Sequence, residues 1–545
     1  MTLQRILFWL LAWALSGFIT PLRAQDKAKH IDSMLSLKAS MHLFSGTVMV
    51  YHHGKTILHK AYGWQDAEKK IANSTQSIYQ IYSVTKPFTS TMILMLVEQG
   101  KLSLDDKLSK FYPKVNGAES ITIRHLLSHQ SGLFEFTRLP DTVAMTIPRF
   151  LSVMEKQSLD FTPGTQWAYC NSGYWFLGLI IERITGLPYD KVIQRNIFQP
   201  AQMRHSGFNY VALTDAHKTR GYAVYQKSRK EPARTYDPPG AYAAGDIWST
   251  TSDLMLFHNA MQSNVLLSAA MTKQAYTPVA NQYGFGWMID SVAGKQVVKH
   301  SGGAAGYRSY LIRVPEEDLC VVILGNTEHD INGLSDRILN TLYGMPAPLP
   351  ANKKIALEVL QQYEGVYALG SGLLLQAYVD DGYLVIQPAR QPRTILHPEN
   401  NHRFYVEEID GYVEFLRSAA GVDTIQLQAR GEVHYAPRIQ VTWGVIGSAT
   451  KNGWDGPDVA MVPGSEKGIW VIRNLALNSG EIKFRMNNSW DFNYGIGEGG
   501  GLSADGENIT VTEGNYDITL DLRNPARATF LIQIRNQKYK QRGMN

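Results

Sequence analysis

Hydrophobic and polar positions follow regular patterns through the first 345 residues of the chain. Residues 46–51 alternate between apolar and polar side chains, which predicts a strand. In residues 83–99 the apolar positions are three and four residues apart, which predicts a helix. Residues 319–324 form an unbroken apolar strand, and residues 331–342 return to the helical pattern. We therefore expect one large domain of mixed helices and strands, residues 25–345.

The pattern changes at Met345-Pro346-Ala347-Pro348-Leu349-Pro350, where the prolines favour extended backbone. We interpret residues 346–351 as a linker. Residues 352–440 contain short alternating strands separated by Gly and Asp-Gly turns, which predicts a small all-β sheet or barrel. Residues 441–545 are again rich in strand patterns, with more Gly, Asn and Trp. They predict a third, β-rich domain.

The first 24 residues have the features of a secretory signal peptide. Arg5 precedes an apolar run at residues 6–19, and Leu22-Arg23-Ala24 resembles a cleavage site. The run has 14 residues, which is short for a membrane span, although an uncleaved anchor is the alternative. No later apolar run approaches about 18 residues, so we expect the mature chain to have no transmembrane span. We predict that residues 1–24 are removed and that the protein is exported.

Composition excludes some classes of function. The chain has 545 residues, 53 Lys and Arg against 48 Asp and Glu, and a formal charge of +5. That charge is too small to indicate a nucleic-acid partner. Hydrophobic residues make up 44% of the chain, which predicts a folded protein rather than a disordered one. Cys170 and Cys320 are the only cysteines, and the sequence leaves open whether they pair.

Ser83-Val84-Thr85-Lys86 is the first motif with a chemical meaning. At the start of a helix, Ser83 and Lys86 lie one turn apart on the same face. A serine hydroxyl needs an adjacent base to act as a nucleophile, and a lysine whose pKa is lowered can supply it. The motif is short, so a helix-capping serine beside a solvated lysine explains it equally well.

Two further segments complete a pattern. Tyr169-Cys170-Asn171 and His300-Ser301-Gly302-Gly303 follow the Ser-x-x-Lys motif in order along the chain. With these motifs the chain resembles the penicillin-recognising serine hydrolases, in particular the branch of class C β-lactamases, DD-peptidases and esterases. The resemblance covers about residues 30–343 and includes His125-Leu126-Leu127-Ser128-His129-Gln130-Ser131-Gly132-Leu133 and Tyr242-Ala243-Ala244-Gly245-Asp246. It implies an α+β fold, an antiparallel sheet flanked by helices plus a helical subdomain.

The resemblance implies a role for each matching residue. Ser83 would be the nucleophile that forms an acyl-enzyme, and Lys86 would lower the cost of deprotonating it. Tyr169 would carry a proton to the leaving group and, as a phenolate or through Lys86, would help to activate water. The substrate would be bound by Asn171, His300, Ser301 and Gly302. The oxyanion would be held by the backbone N–H groups of Ser83 and Gly303.

The chain departs from the β-lactamase pattern in its third motif. The usual Lys-Thr-Gly supplies a permanent cation, whereas His300 is mostly neutral near pH 7. This favours a peptidase or esterase acting on a small-molecule, peptide or ester substrate, with weak β-lactamase activity. Cys170 is interpreted as a packing residue. We expect no cofactor and no metal, because Leu126 stands where a zinc protease has a Glu after its first histidine.

The rear domains also have resemblances. Residues 352–440 resemble the small, lipocalin-like β-domain appended to many such hydrolases. Residues 441–545 resemble the β-sandwich domains of the starch-binding outer-membrane proteins SusE and SusF. That likeness implies a Gram-negative source, in the periplasm or at the outer membrane or cell surface, and a possible glycan partner bound by Trp454 and Trp490. Both tryptophans could instead be sandwich core.

Two alternative functions stay open. The first is a carbohydrate esterase that the rear domain directs to an acylated glycan. The second is a glycan-binding surface protein with a silent hydrolase domain. The intact Ser83, Lys86, Tyr169 and Asn171 argue against the second.

Overall fold

The chain divides into two compact units, Met1–Pro348 and Leu349–Asn545. This computed structural model describes residues 24–139, 145–234, 241–351, 353–419, 421–429, 431–497 and 501–535. The predicted signal peptide lies outside the described residues, apart from its last position. Within the described part, no helix combines the length and the apolar character needed to cross a membrane.

An antiparallel six-stranded sheet organises the first unit. The strands of this unit are β1 (Gly46–His52), β2 (Lys55–Tyr62), β3 (Trp64–Asp66), β4 (Ile71–Ala72), β5 (Tyr79–Gln80), β6 (Tyr222–Tyr225), β7 (Lys230–Pro232), β8 (Trp248–Ser249), β9 (Met288–Val292), β10 (Lys295–Ala304), β11 (Tyr307–Val314) and β12 (Leu319–Gly325). The main sheet has the order β2-β1-β12-β11-β10-β9. β12 is buried throughout because it pairs on both sides and is covered on both faces, as its unbroken apolar sequence predicts.

Helices cover both faces of this sheet. The helices are α1 (Ala24–Ser40), α2 (Thr85–Glu98), α3 (Ile123–Leu127), α4 (Ile147–Met154), α5 (Asn171–Thr185), α6 (Tyr189–Ile193), α7 (Tyr242–Gly245), α8 (Thr251–Gln262), α9 (Ala269–Ala275) and α10 (Asn332–Leu342). On one face Val321 and Ile323 pack with Ile31 of α1 and Ile338 of α10. Since side chains alternate along a strand, Val322 faces the other way, into the larger helical core.

Helix α2 lies at the centre of that larger core. Eleven of its 14 residues are buried, including polar ones, and only its last residue, Glu98, is exposed. A separate 3₁₀ turn, Tyr82–Val84, precedes it, and the helix proper begins at Thr85. The sequence pattern predicts one helix from residue 83; the structure places Ser83 on the turn and Lys86 in the first helical turn.

The second unit begins with a nearly closed, barrel-like sheet. Its elements are the helix α11 (Leu357–Gln361) and the strands β13 (Gly365–Ala368), β14 (Leu374–Asp380), β15 (Tyr383–Pro388), β16 (Thr394–Ile395), β17 (His397–Pro398), β18 (Arg403–Val406), β19 (Gly411–Ser418), β20 (Gly421–Ala429) and β21 (Glu432–Ile439). The nine strands have the antiparallel order β16-β15-β14-β13-β21-β20-β19-β18-β17. Tyr363, Tyr367, Phe404 and Phe415 pack together in its core.

Two further sheets complete the second unit. Their strands are β22 (Trp443–Ile446), β23 (Val459–Ala460), β24 (Val462–Pro463), β25 (Ile469–Leu477), β26 (Gly480–Met486), β27 (Ser489–Ile496), β28 (Leu502–Ala504), β29 (Ile509–Val511), β30 (Gly514–Asp521) and β31 (Thr529–Ile534). Phe484 of one sheet and Ile518 of the other belong to one apolar cluster, as in a sandwich. Val366 of β13 joins the same cluster, so the predicted boundary near residue 440 separates sheets of a single compact unit.

Candidate active site

The turn that carries Ser83 lies against strand β10. Tyr82, just before the serine, has a φ of 44°, in the left-handed region. Gly302 of β10 approaches so closely that a Cβ at this position would lie 2.1 Å from the Ile81 carbonyl oxygen and 2.9 Å from the Ser83 nitrogen. No side chain fits in that space. The glycine of the His-x-Gly motif is therefore what lets the strand reach the serine turn.

Lys86 is fully buried and surrounded by acceptors. In the ammonium form its Nζ donates to Ser83 Oγ at 2.9 Å, to Asn171 Oδ1 at 2.8 Å and to the Ala244 carbonyl oxygen at 2.9 Å. Burial lowers the pKa of Lys86 from 10.5 to about 7, because the charged amine loses its hydration. Near neutral pH both the ammonium and the neutral amine are populated.

Tyr169 lies over the same amine. Lys86 Nζ is 4.8 Å from the centre of the Tyr169 ring. Burial raises the pKa of the Tyr169 phenol well above its usual range, and a hydrogen bond with Ser83 only partly opposes this. The hydroxyl therefore keeps its proton near neutral pH.

The backbone edge of β10 beside the serine turn is open. β10 pairs with β11 over residues 298–304 but with β9 only over residues 295–299. Residues 300–304 therefore have no strand partner on the β9 side among the described residues. Gly303, whose N–H is predicted to hold the oxyanion, is exposed on this stretch, and Ser301 is half-buried. An extended substrate could pair with such an edge.

His300 is buried and held on both sides. Its Nδ1 lies 2.7 Å from the Ser301 carbonyl oxygen and its Nε2 lies 3.0 Å from the Tyr283 hydroxyl. A carbonyl oxygen only accepts, so Nδ1 donates to it, and the Tyr283 hydroxyl donates to Nε2. Burial lowers the pKa of His300 to about 3. The ring is thus neutral near pH 7, as expected from the sequence, and its nitrogens orient the strand.

Glu135 is a site residue that the sequence analysis missed. Asn171 donates to it twice: its backbone N–H to Oε2 at 2.6 Å, and its Nδ2 to Oε1 at 3.0 Å. The carboxylate lies at the N-terminus of α5, where the helix dipole stabilises negative charge. Glu135 lies two residues after the segment 125–133, and no sequence pattern there indicates a contact with Asn171.

His129 supports the loop from the other side. Its Nδ1 accepts the backbone N–H of Cys170 at 3.0 Å, and its ring centre lies 4.4 Å from that of Tyr169. Tyr174 and Tyr283 close the same aromatic cluster. His125, four residues earlier in the chain, accepts the Thr122 N–H at the start of α3. Both histidines are therefore structural supports in this fold.

The remaining candidates lie elsewhere. Cys170 and Cys320 are free and buried, and burial raises the pKa of the Cys170 thiol to about 12, which fits its interpretation as packing. Trp454 and Trp490 belong to the second unit. Both are half-buried, their ring centres are 6.2 Å apart, and the Arg485 guanidinium lies 4.8 Å from the Trp490 ring.

Known proteins are similar to this chain in sequence and in fold. Penicillin-binding protein 4* of Bacillus subtilis (strain 168) is 29% identical over 437 residues, which cover 72% of this chain and 94% of that protein. The octameric penicillin-binding protein homologue from Pyrococcus abyssi is 24% identical with a TM-score of 0.56, covering 74% of this chain and 99% of that one. The D-amino acid amidase from Ochrobactrum anthropi SV3 is 23% identical with a TM-score of 0.52, covering 58% and 98%.

The two solved structures are distant in sequence, so they establish a shared fold. The family model described as Beta-lactamase matches residues 34–342, which is more than half of the chain and contains every group of the Ser83 site. The chain belongs to the Beta-lactamase family.

Proposed function

We propose that this chain is an exported serine hydrolase that cleaves an amide or ester bond through an acyl-enzyme on Ser83, of the D-amino-acid peptidase or esterase type. The supporting observation is the set of acceptors around Lys86. A neutral amine has two N–H bonds and one lone pair. Asn171 Oδ1 and the Ala244 carbonyl can only accept, so they take both hydrogens, and the lone pair faces Ser83 Oγ. An aimed base beside a serine is what nucleophilic catalysis requires.

Acylation then follows with protons balanced. The Ser83 hydroxyl gives its proton to Lys86 while Oγ bonds to the substrate carbonyl carbon. The C=O electron pair moves to oxygen, where the N–H groups of Ser83 and Gly303 would hold it. When the C–N or C–O bond breaks, the leaving group takes a proton from the Tyr169 hydroxyl, which recovers one from the Lys86 ammonium. The products are acylated Ser83 and a free amine or alcohol.

Deacylation repeats the sequence with water. Water adds to the acyl carbon and gives a proton through Tyr169 to Lys86. That proton returns to Ser83 Oγ as the ester bond breaks. Because burial raises the pKa of Tyr169, the phenol acts as a proton carrier that is restored in each step rather than as a standing phenolate.

The substrate preference follows from the neutral histidine. His300 stands where β-lactamases of this fold have a lysine, and burial keeps it uncharged. Without that cation, amides and esters of amino acids are better candidates than β-lactams, which depend on their carboxylate for binding. The name of the Bacillus subtilis relative, a penicillin-binding protein, supports using a penicillin as an acylating probe.

Active-site labelling tests the proposal. The wild-type protein and the variants Ser83→Ala and Ser263→Ala are incubated with a fluorescent penicillin and a fluorophosphonate. Ser263 is exposed and bonds only its own helix, so it serves as the matched control. We expect labelling of wild type and the control, and none of Ser83→Ala. Undiminished labelling of Ser83→Ala overturns the assignment. Short-chain nitrophenyl esters, D-amino-acid amides and a cephalosporin then identify the bond that is cleaved.

A second candidate is that the rear unit directs this hydrolase to an acylated glycan. Trp454 and Trp490 favour it because they form a half-buried pair instead of being sandwich core. Apolar ring faces suit the C–H faces of sugars. Retention on insoluble polysaccharides should fall in Trp490→Ala but not in Trp470→Ala, a half-buried tryptophan of the same unit. Retention without any labelling of Ser83 would indicate a non-catalytic glycan-binding protein.

A further inference from the structure

The Glu135 carboxylate accepts several hydrogen bonds, which restrict the orientation of the Asn171 side chain. Oε2 accepts the backbone N–H groups of Asn171 at 2.6 Å and Ser172 at 3.4 Å. Oε1 accepts Asn171 Nδ2 at 3.0 Å and the Thr137 hydroxyl at 2.7 Å. An ionised carboxylate only accepts hydrogen bonds. Whatever faces it from the Asn171 side chain must therefore be a donor.

This requirement settles which end of the Asn171 amide faces the lysine. With Nδ2 turned toward Glu135, Oδ1 is turned toward Lys86 Nζ, 2.8 Å away. A flipped amide would set Oδ1 against the carboxylate oxygen and Nδ2 against the amine. Two acceptors would then meet at Glu135. At the amine, Nδ2 would either meet an N–H donor or donate to the lone pair that has to accept the proton of Ser83.

We propose that Glu135 is a positioning residue for the reaction: it holds the Asn171 amide so that an acceptor faces Lys86, and thereby aims the lone pair of the amine at Ser83. The inference rests on the proposed hydrolase function. The hydrogen bonds that link these four residues then have one direction: Ser83 donates to Lys86, Lys86 donates to Asn171, and Asn171 donates to Glu135. Glu135 touches no reacting atom in this scheme and acts through Asn171.

Charge gives the proposal a second readout. The Glu135 carboxylate raises the pKa of Lys86, against the larger lowering by burial. The groups that surround the amine are Glu135, Cys170, Tyr169, Tyr174, His129 and His300. Of these the phenols, the thiol and the buried imidazoles are neutral near pH 7. Arg138 also lies near Glu135, but it pairs with Asp160.

An exchange of amide and carboxylate tests the proposal. In Glu135→Gln the single oxygen serves the backbone N–H of residue 171, so the new amide nitrogen faces Asn171 Nδ2. In Asn171→Asp two carboxylates meet. Each variant should acylate about 100-fold more slowly with the fluorophosphonate or an ester substrate. In Glu135→Gln/Asn171→Asp, the glutamine nitrogen donates to the new carboxylate, whose other oxygen accepts from Lys86. Acylation should recover at least about tenfold over Asn171→Asp.

The pH profile separates positioning from folding. The base must be neutral, so the rate rises with pH through the pKa of Lys86. Loss of the Glu135 charge should move this limb to lower pH in Glu135→Gln. In the double variant the negative charge lies next to the amine, and the limb should move to higher pH. The control Glu119→Gln, which replaces an exposed carboxylate of the same unit, should keep the wild-type rate and limb.

The outcomes are decisive even if Glu135→Gln folds poorly. If Glu135 has a purely structural role, adding Glu135→Gln to Asn171→Asp should lower the acylation rate further. If Glu135 positions Asn171, the double variant should acylate faster than Asn171→Asp. No recovery in the double variant, or a Glu135→Gln rate within about twofold of wild type, overturns the inference. If the wild-type protein itself is neither labelled nor active, the proposed function fails instead.

Discussion

The Ser83 site and the tryptophan pair of the rear unit show two kinds of candidate site. At Ser83, the polar groups are buried and bonded to named partners, so their protonation and direction follow from geometry. Trp454 and Trp490 are half-buried rings that offer a surface without a fixed set of donors. In a buried polar network the low dielectric strengthens each hydrogen bond and makes an unpaired group costly, so the partners fix the protonation and orientation of each group. A surface pair carries only shape, and the predictions below test this difference.

The largest effect is expected from the base. Lys86→Met should reduce acylation of Ser83 by about 10³-fold, since Tyr169, which also bonds Ser83, keeps its proton and cannot replace the amine as the base. Thermal stability should change little, because the cost of burying the amine is removed while Asn171 Oδ1 and the Ala244 carbonyl oxygen lose a donor. Stopped-flow labelling and a melting curve measure both quantities. A variant that labels at a wild-type rate would remove Lys86 from the mechanism.

The next effect concerns the backbone of β10. Gly302→Ala should lower kcat/KM by about 100-fold, because the new Cβ forces the strand away from the serine turn and displaces the oxyanion donor. Gly333→Ala, on α10, is the control: its Cβ would meet nothing within 4 Å. Equal losses in the two variants would contradict the close approach as the cause.

A smaller effect should appear in stability against pH. The pKa of Lys86 is about 7 in the folded protein and near 10.5 when unfolded. Between these values the unfolded chain holds a proton that the folded chain lacks. The free energy of unfolding of wild type should therefore rise with pH relative to Lys86→Met, by up to about 1.4 kcal/mol per pH unit. Urea titrations at pH 7, 8 and 9 test this; a constant difference would mean that the pKa is not lowered.

The smallest effect is expected in the rear unit. Trp454→Ala and Trp490→Ala should change the hydrolysis of small soluble substrates by less than about twofold, because every group of the Ser83 site comes from the first unit. Initial rates with an ester substrate measure this. A large loss of turnover in either variant would show that the two regions are not independent, and would contradict the comparison.

Much of the architecture could be predicted from local patterns. The strand at residues 46–51 is β1, and the apolar run at 319–324 is β12. The start of α2 was misplaced by two residues because a 3₁₀ turn has nearly the same apolar spacing as a helix. Residues 432–439, which form β21, show little alternation because most of their side chains are exposed. The SusE and SusF likeness stays a prediction.

The sequence by itself determined which residues are candidates for the chemistry. Ser-x-x-Lys, Tyr-x-Asn and His-x-Gly are short contiguous motifs, so they can be identified in the sequence without knowledge of the fold. Only the tertiary structure decided their state. Ala244 and Glu135 are remote from Lys86 in sequence, yet the first bonds the amine directly and the second orients Asn171. The pKa of a lysine depends on desolvation, and the direction of an amide depends on its partners. Both are properties of packing, which no linear motif contains.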